Sequence, residues 1–305
     1  MTTAALLVLA GLIGLGFGGE WLVRGSVGIA QRMGISNLVT GLVIVGAATS
    51  MPEMVASIQA AMIGSPGIAW GNIAGSNIAN TLLILGAAAL VAPIVLTGAG
   101  RRDAVVALAA SVLIWLLTWQ GIASPLLGMG LLVLLVVYIV WRYRHPRPDD
   151  EEEDEDPPIL WKAILFFIIG VAALVVGGKL LVDGAVDIAR FAGLSETVIG
   201  LTVVAIGTSL PELAASVAAA LRGKSGLALG NVVGSNIYNL LLIGGVTMTI
   251  APFPIPAELV DVELPLVVGS ALMLLLLCWF ANRINRWLGG ALLLGFAAFN
   301  VMLLI

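Results

Sequence analysis

The sequence predicts an all-α polytopic membrane protein of ten transmembrane helices, built as two inverted five-helix repeats. Three observations carry that prediction. The 305 residues are 60% hydrophobic and only 10% charged, with 37 glycines and a mean hydropathy of +1.10, whereas soluble domains carry about 25% charge. Apolar stretches of bilayer length, about 20 residues, recur ten times along the chain. Residues 18–86 also align on 177–245 without a gap, with roughly half of the positions identical, a duplication of the kind seen in inverted-repeat transporters.

The first repeat, residues 1–143, holds spans at 4–30, 38–63, 68–92, 104–120 and 124–142. Arg32, Gly64-Ser65-Pro66-Gly67, Gly100-Arg101-Arg102-Asp103 and Gly121 to Ser124 separate them, because charged and turn-forming residues interrupt the apolar runs,. Met1 to Ala5 carries no basic segment, so the first run reads as a retained helix and not as a signal peptide,. The linker, 144–158, passes from basic residues into an unbroken acidic run, Asp149 to Asp156, that reads as a solvated tether,. The second repeat, 159–305, gives spans at 162–189, 197–221, 226–250, 264–282 and 287–305.

Five spans per copy is an odd number, so the second copy enters the membrane upside down. Loop charge tests this independently. With both termini outside, Arg32, Arg101, Arg102, Arg142, Arg144, Arg147, Lys162, Arg222, Lys224, Arg283 and Arg286 fall on one side, and Arg190 alone on the other. The positive-inside rule makes the crowded side cytoplasmic. The formal charge of -4 hides this, since eight of the eighteen acids sit in the linker. Deep in spans 1 and 6, Glu20 and Arg24 align with Lys179 and Asp183, a pattern that predicts interhelical ion pairs.

Within this apolar body two polar sequences occur twice. Ala48-Thr49-Ser50-Met51-Pro52-Glu53 matches Gly207-Thr208-Ser209-Leu210-Pro211-Glu212, and Gly71-Asn72 through Asn80 matches Gly230-Asn231 through Asn239. Proline lacks an N–H and its ring clashes with the carbonyl four residues back, so each copy opens its helix beside a Thr-Ser pair. A carboxylate at bilayer depth costs at least about 2.5 kcal/mol, which makes Glu53 and Glu212 functional candidates. Ser76 and Asn80 share a helical face, as do Ser235 and Asn239. Asn72, Asn77, Asn231 and Asn236 read as interhelical glue, and the Gly-x3-Gly-Ser spacing as a close-packing face.

The inventory is therefore two carboxylates, the hydroxyls of Thr49, Ser50, Thr208, Ser209, Ser76 and Ser235, the amides of Asn80 and Asn239, and carbonyls freed at the breaks. Oxygen donors of this kind suit hard cations such as Ca2+ and Na+, and two glutamates balance one divalent ion; Mg2+ holds its own waters too firmly. One cysteine, Cys278, and one histidine, His145, exclude a disulfide framework and any Cys- or His-rich metal site,. An intramembrane enzyme lacks its catalytic groups here, and a fixed carboxylate site that dehydrates its ion binds too tightly for fast passive conduction.

At these residues the chain resembles the sodium/calcium exchanger family of the cation/calcium antiporter superfamily, whose two repeats carry G-T-S-x-P-E and G-N-x-x-G-S-N-x-x-[ND]. The resemblance implies that Thr49, Ser50, Glu53, Ser76, Thr208, Ser209, Glu212 and Ser235 line the ion sites, that carbonyls near Gly46 and Ala205 help, and that Asn80 and Asn239 complete them. It implies that spans 1 and 6 slide as a gate across a core of eight helices. Ala48 departs from the motif glycine. Asn239 stands where several relatives, the potassium-dependent branch among them, have aspartate, which argues against K+ cotransport. The expected activity is electrogenic Na+/Ca2+ antiport by alternating access, with an H+/Ca2+ exchanger on the same fold as the alternative. Ca2+ and Na+ are its substrates; no cofactor and no nucleic acid is expected. The expected state is a monomer in the cell (plasma or inner) membrane, multi-pass, with both termini outside and the linker cytoplasmic.

Overall fold

The computed structural model describes residues 2–96, 98, 100–145, 158–193, 205–253, 255–257 and 259–304. The acidic run, Arg147 and the first part of the seventh predicted span, 197–204, lie outside the described residues. Helices α1 (Thr2–Met33), α2 (Asn37–Thr49), α3 (Met51–Met62), α4 (Pro66–Val91), α5 (Arg101–Trp119) and α6 (Pro125–Arg144) form the first half. The second half holds α7 (Leu160–Phe191), α8 (Ala205–Gly207), α9 (Leu210–Leu221), α10 (Ser225–Ile250), α11 (Leu259–Phe280) and α12 (Arg286–Leu304). Seven of these are long and apolar enough to cross a membrane, and the bent pair α2–α3 makes an eighth. The chain is thus an all-α polytopic membrane protein. Among the described residues the one departure is a two-residue antiparallel pair, β1 (Ile94–Val95) with β2 (Arg283–Ile284), in register Ile94 to Ile284 and Val95 to Arg283.

Glycine decides how the two longest helices meet. α1 carries Gly11, Gly18 and Gly25, one every two turns, and α7 carries their counterparts Gly170, Gly177 and Gly184. A Cβ on Gly11 would lie 2.7 Å from the Gly177 carbonyl oxygen, and one on Gly177 2.8 Å from the Leu15 nitrogen, so the backbones touch where a side chain would part them,. Gly25 meets Ala163 near the start of α7, and Gly184 meets Ala4 near the start of α1. The helices are therefore antiparallel. Each contact also recurs with the partners exchanged, since Ala4 and Gly25 are the counterparts of Ala163 and Gly184. The two copies of this span run in opposite directions, as an inverted duplication requires.

The centre of the molecule is α10, 89% buried over its apolar window, with α4 at 72%; α7, at 22%, turns most of its surface outward. Contacts gather the basic loops at one end. Arg101 donates from Nε to the Cys278 carbonyl at 3.0 Å and from Nη2 to Trp279 at 3.1 Å; Arg286 donates to Val91 at 3.3 Å and Arg32 to Pro158 at 3.5 Å. Val95 N–H donates to Ser225 Oγ at 3.1 Å, and Arg142 pairs with Asp103 at 2.8 Å in full burial. Arg190, at the far end of α7, lies away from them.

The deep charges only partly follow expectation. Glu20 of α1 does pair across helices, with Arg222 at the end of α9. Lys179 instead pairs with Asp183 one turn along its own helix at 2.9 Å, and Arg24 stacks on the Phe166 ring at 4.8 Å. The alignment counterpart of Arg222 is Ile63, which carries no charge, so the pair that Glu20 makes has no equivalent for Lys179.

Candidate functional site

The two proline motifs break their helices at the same place. α2 ends at Thr49, Ser50 takes φ −78°, ψ 6°, and α3 leaves at 45° with Pro52 in its first turn. In the second half Ser209 takes φ −88°, ψ 6° and Pro211 enters the first turn of α9. Proline is pre-set for that position and cannot bond the carbonyl four residues back. Glu53 and Glu212 consequently sit in the first turns of α3 and α9, where free N–H groups and the helix dipole favour negative charge,. Both are sealed from solvent, at 1% and 2% exposure.

Each carboxylate is met by the other half. Ser209 Oγ donates to Glu53 Oε1 at 3.2 Å, while Thr49 and Ser50 approach Glu212. Behind them the halves are mirrored. Asn72 Nδ2 donates to the Glu53 carbonyl at 3.2 Å and to Ser57 Oγ at 2.9 Å; Asn231 Nδ2 donates to the Glu212 carbonyl at 3.2 Å and to Ser216 Oγ at 2.9 Å. Ser57 and Ser216 are new to the site. Their signal was in the repeat alignment, where they occupy equivalent positions.

α4 and α10 supply the remaining donors. Both widen into a π turn over Asn80–Ile84 and Tyr238–Ile243, the irregularity that most often accompanies functional positions in helices,. Asn80 Nδ2 donates to Asn236 Oδ1 at 3.0 Å, which joins the halves again. Asn72, Asn231 and Asn236 do tie helices together, but Asn77 donates to Ile73 within its own helix at 2.7 Å. A third π turn, Gly41–Val45, frees a carbonyl that Tyr238 OH takes at Val43, 3.2 Å away. Gly41 packs against Leu227 and Asn231, so the close-packing face holds in the second half; the counterparts of Leu38, Gly41 and Leu42 opposite Gly71 and Gly75 lie at 197, 200 and 201, outside the described residues.

Among the described residues, seven oxygens of the repeated motifs are buried without a hydrogen-bond partner: Ser50 Oγ, Glu53 Oε2, Asn77 Oδ1, Asn80 Oδ1, Glu212 Oε2, Ser235 Oγ and Asn239 Oδ1. Ser26, Gln31, Thr247 and Glu263 each hold one more outside the motifs, so what sets the centre apart is their concentration there. Unpaired oxygens in low dielectric are costly unless a cation satisfies them. Of the other sequence candidates, Ser76 is buried, and Thr208 lines a cleft of about 210 Å³ with Pro52, Pro211, Lys179 and Asp183. Thr49 Oγ1 donates to Val45 at 3.0 Å, leaving its lone pairs. The Gly46 carbonyl accepts Ser50 N–H at 3.1 Å, and Gly46 abuts the Ser235 backbone. Ala205 opens the short turn α8 that leads to Thr208. Among the described residues no three His, Cys, Asp or Glu side chains cluster, so two carboxylates are the charge this centre offers.

Known proteins resemble the chain along nearly its whole length. The family model described as "Sodium/calcium exchanger protein" matches residues 3–144 and 162–305. The sodium/calcium exchanger MaX1 of Methanosarcina acetivorans is 32% identical over 99% of both chains, and the inner membrane protein YrbG of Escherichia coli is 31% identical over 99% of this chain and 97% of its own. The solved structure of the sodium-calcium exchanger NCX_Mj superposes with a TM-score of 0.86 at 34% identity, over 97% of each chain.

Proposed function

The chain belongs to the sodium/calcium exchanger protein family, a family of transporters and not of enzymes, and from that premise we propose that it exchanges Na+ for Ca2+ by alternating access at this centre. The observation that carries the reading is the concentration of unpartnered buried oxygens in the repeated motifs, those of Glu53, Glu212, Ser50, Ser235, Asn80 and Asn239 among them. Two carboxylates neutralise one Ca2+, and hydroxyl and amide oxygens replace its water. The same four neutral donors favour Na+ over H+ as the coupling ion: a proton needs only a carboxylate, and would leave Ser50, Ser235, Asn80 and Asn239 unsatisfied. Loading more than two Na+ against one Ca2+ makes the cycle electrogenic.

Ten spans in an inverted arrangement, with the basic end cytoplasmic, fit the antiparallel glycine contacts and the positive-inside rule,. In that orientation the Lys179–Asp183 cleft opens outward, and the Glu20–Arg222 pair closes the cytoplasmic side of α1. Calcium extrusion across the cell membrane, driven by Na+ entry, is the working direction. The protein acts as a monomer with the bilayer as its surroundings. The test is radioactive Ca2+ uptake into proteoliposomes under an imposed Na+ gradient and, separately, an H+ gradient. Uptake that follows the Na+ gradient alone is expected; uptake that follows only the H+ gradient would replace this reading with proton exchange.

A further inference from the structure

We infer that Thr81 and Asn236 are positioning residues that lock the Asn80 amide with its oxygen toward the ion, an inference that rests on Asn80 being one of the ion's ligands. An asparagine amide can present either N–H2 or C=O to a site, and only the oxygen can bind a cation. At Asn80 three linked hydrogen bonds decide between them. Thr81 Oγ1 donates to the Asn77 carbonyl at 3.3 Å, one turn back in its own helix. That commits its only proton and leaves it an acceptor. Asn236 Nδ2, from α10, donates to Thr81 Oγ1 at 3.1 Å. Asn236 Oδ1 is thereby turned to Asn80, whose Nδ2 donates to it at 3.0 Å. With its nitrogen engaged, Asn80 leaves Oδ1 buried, unpartnered among the described residues, and available.

The duplicated half cannot repeat this. The counterpart of Thr81 is Leu240, which has no hydroxyl, and the counterpart of Asn236 is Asn77, whose Nδ2 is spent on Ile73 at 2.7 Å. The relay is thus a one-sided addition to a two-fold site. All four participants, Asn77, Asn80, Thr81 and Asn236, are at most 3% exposed, so water does not compete for the bonds. Thr81 does not touch the ion in this arrangement. It acts through Asn236 and Asn80, and its loss should weaken ion binding without removing a ligand.

The test compares wild type, Thr81→Val and Thr81→Ser for the external Ca2+ that half-saturates Na+-driven uptake in proteoliposomes. Valine keeps the shape and deletes the relay; serine restores the hydroxyl. Turning one buried amide so that N–H faces a cation should raise the half-saturating Ca2+ about tenfold while the maximal rate stays within about twofold, and serine should return it to near the wild-type value. In an Asn80→Ala background Thr81→Val should add nothing, because the residue it orients is gone. Thr81→Ala replaces valine if valine does not fold. A half-saturation unchanged by Thr81→Val, or a drop in maximal rate that serine does not rescue, would overturn the relay while leaving exchange by the wild type intact. Absence of Na+-driven uptake by the wild type would instead overturn the exchange reading; the relay is then read from the Ca2+-induced rise in unfolding temperature, which Thr81→Val should diminish and which, unchanged, would refute it.

Discussion

Asn72 in the first half and Asn231 in the second make the same two bonds at the same distances, 3.2 and 2.9 Å, yet Glu20 and its counterpart Lys179 do opposite things. The halves agree where the chain breaks and the carboxylates stand, and diverge at the rims of the access path. The reason is geometric. An ion held on a pseudo-two-fold axis needs donors from both copies, so substitutions there are constrained twice over. In the proposed orientation the rims face different compartments, and nothing couples Arg222 to the identity of Ile63. Symmetry at the centre supplies the charge and the oxygens; asymmetry at the edges distinguishes one opening from the other.

The most severe way to break the comparison is topological. Cysteines at Ser65 and Lys224, equivalent positions in the two copies, should react with an impermeant thiol reagent from opposite faces of the membrane, all or none. Labelling from the same face would end the inverted arrangement. Next in size is the charge at the centre. Glu53→Gln and Glu212→Gln should each lower Na+-driven Ca2+ flux by at least about a hundredfold, because one remaining carboxylate leaves a divalent ion with uncompensated charge in low dielectric. A variant of either half that keeps most of its flux would show that the two carboxylates are not equal partners.

The asparagine clamps sharpen the comparison at a smaller scale. Asn72→Ala and Asn231→Ala each strand a serine hydroxyl and a glutamate carbonyl, which costs about 1–3 kcal/mol where those groups are buried. Ser57 and Ser216 are both fully buried, but Asn231 is 1% exposed whereas Asn72 is only half-buried, so water reaches the gap left in the first half more easily and the second-half variant should unfold at the lower temperature in detergent. The reverse order would mean that burial does not set the cost of the clamp.

Much of this was legible in the chain. The constant shift between copies showed the duplication and the odd span count predicted the opposed directions of α1 and α7, while proline beside Thr-Ser and Glu gave the breaks at Thr49 and Ser209. The oxygen inventory followed, because a polar group in an apolar run is visible without coordinates. Partner choice was not. Whether Asn77 bonds its own helix or a neighbour depends on which side chain stands opposite, and Thr81 against Leu240 looks like an ordinary substitution until α10 is brought beside α4. The seven-residue glycine stripe on α1 and α7 was readable but meant nothing until its counterpart was known to face it.

The smallest expected effect concerns the rims. Glu20 and Arg222 join α1 to the end of α9 at 46% and 34% exposure, and Lys179 and Asp183, at 74% and 47%, lie one turn apart on α7. Exposed pairs contribute at most about 1 kcal/mol, and exposed pairs one turn apart in a helix about 0.3–0.5. Only the first pair crosses between helices, so only its loss frees α1 from its neighbour. Arg222→Gln should therefore speed amide hydrogen exchange in the last turns of α1, residues 24–33, by up to about fivefold, the factor that 1 kcal/mol allows. Lys179→Gln should leave exchange in the last turns of α7 unchanged within about twofold. Molar salt, which shortens the Debye length to about 3 Å, should shrink the Arg222 effect toward the Lys179 one. Equal acceleration in both variants at low salt would show that the rims, like the centre, obey the two-fold relation.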